Sequence, residues 1–287
     1  MWGCMGLLVR PLNNVGLQSM DIVLLRSQET WILTLLTMPL LSKLTHSSIK
    51  QDIKIKPKDI WVFLGTGVVS IIFFNFCYFT TIILTSLSVA AILLYTSPIF
   101  VMLISAVVFK DKITKYKVIS LILAFVGCLV VTGAITGNMV VNVAGVLYGL
   151  GAGLGYALYS IFGKIATDKG YSSVTVTLYT FIVAGLAAIP FTNISHIIGV
   201  YKANPNMILY TIFMILITTY LPYILYTAGL AGLEPGKAAI IACIEPVMAT
   251  FVGWIAFNEV PALITILGVL MVLAAIVLIN AKNTKTN

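Results

Sequence analysis

Polar positions along this chain are gathered into short clusters, and the stretches between them are almost continuously apolar. About ten such stretches can be marked, over 1–13, 22–42, 60–84, 88–109, 117–135, 143–163, 173–192, 207–230, 236–257 and 262–280. Most reach the roughly 20 residues that an α-helix needs to cross a bilayer, and they are too long for lipid-spanning strands. The pattern predicts an all-α membrane protein. The first stretch is an exception. Met1 to Asn13 is too short to cross alone, so this span is expected to be a stub or truncated. No charged leader with a small-residue cleavage site precedes it.

Composition agrees with the pattern. Of 287 residues, 60% are hydrophobic and 9% charged, too few charges to cover a soluble domain of this length. The formal net charge of +8 acquires a meaning once the lysines are placed on the spans. Lys43, Lys50, Lys54, Lys56 and Lys58 fall in one inter-span loop, and Lys110, Lys112, Lys115 and Lys117 in or beside another. If every stretch crosses, Lys164, Lys169, Lys237, Lys282 and Lys285 lie on the same side, leaving only Arg10, Arg26 and Lys202 elsewhere. Basic loops stay cytoplasmic, so both termini are expected inside a cell (plasma) membrane. Lysines split among short loops give no nucleic-acid footprint.

The chain also repeats itself. A shift of 148 residues lays "AAILLYTSPIFVMLISAVVFKDK" (90–112) on "AAIIACIEPVMATFVGWIAFNEV" (238–260), matching Pro98 to Pro246 and Asp111 to Glu259. The same shift lays Tyr78 on Tyr226, and a slightly different one pairs 2–10 with 156–164. Two units of five spans follow: 1–135, 143–280, and a cytoplasmic tail at 281–287. An odd number of crossings sends the second unit into the membrane from the opposite side. Two inverted five-helix repeats are a common transporter plan, with the substrate near the midplane.

These features resemble the EamA-like family of the drug/metabolite transporter superfamily. The resemblance rests on "LLYTSPIF", the Glu245-Pro246 pair, the acidic residue in "FKDK" and "FNEV", the opening Trp2-Gly3 and "LLR" in the second span. It implies a ten-helix secondary transporter with cytoplasmic termini and a central cavity, often exporting metabolites or amino acids. The partners expected are a small-molecule substrate and the lipid bilayer; a homodimer is left open.

Candidate site residues are few. A carboxylate at mid-bilayer costs about 2.5–3.5 kcal/mol on insertion scales, so Glu245 is expected to face the bundle interior. There it serves either as a substrate-ammonium or proton partner, or as a structural hydrogen-bonding group. Pro246 and Pro98 remove a backbone donor and should kink their helices. Asn75, Tyr78, Tyr95, Tyr156, Tyr223 and Tyr226 offer polar tips on apolar bodies, suited to a cavity wall or to the membrane interface. Arg26 and Glu29, three apart on one helix face, can pair. Gly149, Gly151, Gly153 and Gly155 predict close helix packing rather than a phosphate loop. Cys4, Cys77, Cys128 and Cys243 form no CxxC, and His46 and His196 stand in expected loops outside any metal-binding spacing. No metal, cofactor or catalytic constellation is expected. Two further readings stay open: a membrane binding or assembly subunit without transport, and a phosphorylated-sugar antiporter of the same fold, although the spans lack mid-helix Lys or Arg for a phosphate.

Overall fold

The computed structural model describes residues 2–44, 53–133, 142–257 and 261–280, and these are helical with short connections. A 3₁₀ turn at Trp2–Cys4 leads into α1 (Met5–Asn14), followed by α2 (Ser19–Leu44) and α3 (Pro57–Leu84). Next, α4 comes in two pieces, Leu87–Leu94 and Ser97–Val108, and is followed by α5 (Lys115–Val131), α6 (Val143–Asp168) and α7 (Ser173–Phe191). The short α8 (Ile194–Ala203) precedes α9 (Asn206–Gly232). Last, α10 is also in two pieces, Pro235–Ala242 and Ile244–Phe257, before α11 (Leu263–Asn280).

Seven of the described helices are long and apolar enough to cross a membrane. The sequence led to an expectation of about ten. The difference lies in α1, α2 and α5. Ten residues of α1 rise only ~15 Å, and α5 has 17 residues. Although α2 has 26 residues, it carries Asp21, Arg26, Glu29 and Lys43. His196, expected in a loop, stands on α8, which begins where the Asn193 side chain accepts the His196 N–H at 3.1 Å.

The helix ends follow local chemistry. Side-chain oxygens of Ser86, Thr114 and Ser172 accept from the backbone N–H three residues on, satisfying donors that a helix start leaves open. After α6, Gly170 adopts φ 88°. Its N–H bonds the Thr167 carbonyl at 2.9 Å and the Tyr171 N–H bonds the Ala166 carbonyl at 3.2 Å, closing the helix with a left-handed glycine.

The chain forms two compact units, Met1–Asn75 with Phe162–Gly232, and Phe76–Ile161 with Leu233–Asn287. Each draws on both halves of the sequence, and the division falls inside α3 and α6. In the first unit, α2 packs along α7, with Met38 of α2 buried among Val174 and Leu178 of α7. The Thr180 hydroxyl donates to Thr66 at 2.6 Å, joining α7 to α3. A Cβ on Gly67 would come within 2.8 Å of the Thr180 carbonyl, so glycine sets that approach. Here α3 widens into a π-helix over Gly65–Ile72, and Ser70 donates to the Gly65 carbonyl. A second π segment, Leu216–Tyr220, lies in α9. Its last residue stands 148 positions after Ile72 (220 − 72), the spacing of the sequence repeat.

In the second unit α5 and α11 run against each other around Gly127 and Gly268. A Cβ on Gly268 would sit 2.8 Å from the Val131 nitrogen and 2.9 Å from the Gly127 carbonyl. Ala124, Cys128, Val272 and Ala275 are fully buried beside that crossing. Gly149 and Gly153 of α6 face Leu93 and Thr96 of α4 at distances too short for any side chain, as the glycine run predicts. Leu263, Leu267 and Val277 leave α11 pointing outward, exposed and apolar, which suits a lipid solvent.

Candidate functional site

The candidate residues divide between the two units. Tyr78, Tyr95, Tyr156 and Glu245 belong to the second; Asn75, Tyr223 and Tyr226 belong to the first.

In the second unit the site grows out of two broken helices. The first piece of α4 stops at Leu94, and Ser97-Pro98 opens the next piece; proline suits the first turn because the N–H it lacks would have no helical partner there. Likewise α10 stops at Ala242, and Ile244-Glu245-Pro246 opens the next piece. The breaks, at Tyr95 and Cys243, lie 148 residues apart (243 − 95), again the repeat spacing. Pro98 and Pro246 each lie in the first turn after an interruption. Glu245 falls in the first turn of its piece, where the helix dipole favours a negative charge. It is half-buried and lies within electrostatic reach of the Tyr78 and Tyr95 hydroxyls. Tyr95 packs onto the core formed by Met102, Cys128, Ile240 and Cys243. The Cys128 thiol points at the Cys243 carbonyl, 3.9 Å away, next to the α10 break. Tyr156 is half-buried on α6. Asp111, after α4, accepts from the Ser105 hydroxyl, whereas its repeat counterpart Glu259 lies outside the described residues.

In the first unit, aromatic rings gather around Tyr223. Phe181 of α7 meets it edge-on at 4.9 Å between centroids, and Trp2 does so at 5.5 Å. Trp2 also lies 5.4 Å from Tyr226. Sequence reasoning singled out Trp2 as a family mark but gave it no role, and missed Phe181, which no polar pattern distinguishes from its apolar neighbours. Asn75 is buried, and its amide donates to the Ile71 carbonyl of its own helix at 2.7 Å. Arg26 is buried, and its Nε donates to Thr219 of α9 at 2.8 Å. Thr37 of α2 bonds the Tyr220 hydroxyl.

One ionic cluster ties the start of α3 to the turn after α6. Asp59, 2% exposed, accepts from Lys169 at 2.8 Å and from the Tyr171 hydroxyl at 2.8 Å. The Tyr171 oxygen in turn accepts the Lys56 N–H at 3.0 Å. The left-handed turn at Gly170 sets both partners within reach of Asp59. Burial first, and then the hydrogen bond to Asp59, push the Tyr171 phenol above its ordinary range. In the second unit, Lys117 pairs with Glu234 at 2.6 Å and donates to the Lys112 carbonyl. Among the described residues no group of three metal-ligating side chains converges.

Known proteins resemble this chain. The EamA-like transporter family matches residues 1–133 and again residues 143–281. The chain belongs to the EamA-like transporter family. An uncharacterized transporter of Archaeoglobus fulgidus is 25% identical over 229 residues, covering 80% of each chain. A second from that organism is 27% identical over 209 residues, covering 71% of this chain and 73% of its own length. The uncharacterized transporter YyaM of Bacillus subtilis is 25% identical over 240 residues, covering 78% of this chain and 76% of its own. A solved crystal structure superposes with a TM-score of 0.77 over 99% of this chain and 95% of that one, at 15% identity, and so shares the fold. This EamA-like protein is therefore a multi-pass membrane transporter.

Proposed function

We propose that the chain is a secondary transporter that exports a small metabolite such as an amino acid across the cell membrane, with both termini cytoplasmic. Ten spans in two inverted five-helix repeats would open a central site to each side in turn. The observation that carries this reading is Glu245, set at the break of α10 within electrostatic reach of Tyr78 and Tyr95. A carboxylate at a helix interruption, beside phenol hydroxyls, offers an ammonium group a charge partner and hydrogen bonds inside an apolar setting.

The purified chain in proteoliposomes, given a mixture of labelled amino acids, should exchange at least one of them against an internal pool. A growth screen of an overexpressing strain against toxic amino-acid analogues should name the same substrate through raised resistance. Exchange no faster than in protein-free vesicles would overturn the amino-acid assignment. Exchange of labelled sugar phosphate instead would favour the antiporter reading.

A further inference from the structure

A second acidic residue stands inside a helix. Glu29 lies ten residues into α2 from Ser19 (29 − 19), a rise of ~15 Å. Its Oε2 is buried and has no hydrogen-bond partner among the described residues. The next residue, Thr30, is fully buried with its hydroxyl also unpartnered. A bidentate guanidinium partner would satisfy both carboxylate oxygens, but the Arg26 Nε is directed to Thr219. With its Oε2 unpartnered, Glu29 is not held in a bidentate pair.

A half-buried carboxylate with one buried, open oxygen is costlier as an anion than as a neutral acid. Carboxyl groups of this kind inside membranes mark proton relays. The surrounding groups fit an exchange rather than a fixed charge. On α2 itself stand Asp21 and Arg26; α8 contributes His196 and Tyr201, and α9 contributes Tyr220. His196 is 40% exposed and lies 3.4 Å from the buried Asp21 carboxylate, at the start of α2. Tyr201 is in electrostatic reach of Glu29, with its hydroxyl bonded to Thr211 at 2.8 Å. Tyr220 is bonded to Thr37, further along α2. Arg10 on α1 is exposed, Tyr210 of α9 donates to the Leu8 carbonyl, and Tyr179 on α7 is bonded to Ile53.

We propose that Glu29 is a proton-exchange site in the first unit, and that its protonation and release couple transport to the proton gradient. The coupling half rests on the transporter reading; the exchange half does not. The proton leaves the carboxyl as the group turns anionic and returns as it turns neutral, with Arg26 charged throughout. A metal cation would need several converging oxygens, and one open carboxylate oxygen does not supply them.

The test uses the full chain in phospholipid nanodiscs, followed by infrared spectroscopy between about pH 5 and 8, the range in which maximal protein stability usually lies. The carbonyl stretch of a protonated carboxyl should grow as pH falls, be missing in Glu29→Gln and persist in Glu245→Gln. Identical titrations of wild type and Glu29→Gln would overturn the proposal. If the Gln variant fails to insert, Glu29→Asp should shift the band, and an unshifted band would overturn it equally. Loss of the band on adding sodium chloride, but not choline chloride, at fixed pH would make the site a sodium site instead. In proteoliposomes, Glu29→Gln should keep amino-acid exchange but lose accumulation driven by a pH gradient; undiminished accumulation would refute the coupling. Should the wild type move no amino acid, the amino-acid assignment fails, while the infrared titration still decides Glu29.

Discussion

Single residues test the chemistry proposed here, and each can be removed without changing much shape. Glu245→Gln keeps the side chain's size and most of its hydrogen bonding but deletes the charge. Exchange of a cationic substrate should fall to background while the variant inserts and elutes normally; a Gln variant that exchanges at wild-type rate would leave Glu245 as a structural partner. Thr219→Val is nearly isosteric and strips the buried Arg26 Nε of its acceptor. A hydrogen bond to a charged group is worth about 1.5–3 kcal/mol, and that loss should show as a lower thermal midpoint in detergent. Tyr171→Phe removes a phenol whose folded pKa is raised. A raised pKa contributes stability that is present below the unfolded value and lost as pH rises through the folded one. Wild type should therefore lose stability in the alkaline range, above ~10, more steeply than the Phe variant; equal slopes on thermal denaturation would disprove this.

At the scale of helices, glycine decides which pairs come together. Gly268→Ala sets a methyl against the backbone of α5, at Val131 and Gly127, where nothing can rotate away. Overpacking of this kind costs about 1–3 kcal/mol. Gly229→Ala, also in a long helix but with nothing within 4 Å of its Cβ, should be neutral or gain about 0.4–1 kcal/mol. Parallel thermal melts of the two variants compare a closed crossing with an open surface. The order of outcomes, rather than either midpoint, is the test. The broken helices belong to this scale too. The interruptions at Tyr95 and Cys243 fall where proline opens the following piece, and they hold Glu245 at a helix start instead of in mid-helix.

At the scale of the whole molecule, the prediction concerns sidedness. A reporter active only outside the cell, fused after Asn287, should be silent if the basic loops hold both ends inside, as proposed. Activity there would invert the topology. Much of this level was legible in the chain. Long apolar runs can only be membrane helices, since an unpaired backbone in lipid is too costly, and the repeat of 90–112 in 238–260 needs no coordinates. The glycine run of α6 announced a close contact. These are local properties, fixed by what a few neighbouring residues can do in lipid. Partnership is not local. The Arg26 Nε goes to Thr219, 193 residues away along the chain. Trp2 and Phe181 meet at Tyr223 from opposite halves of the sequence. Asp59 gains Lys169 and Tyr171 only because a left-handed glycine turns the end of α6 back towards it. The compact units likewise mix the two sequence repeats. Hydrophobic spacing says which segments enter the membrane, but it is nearly the same for every span and so cannot choose among partners. That choice is made by small residues, hydroxyls and shape, which act only once the helices are side by side.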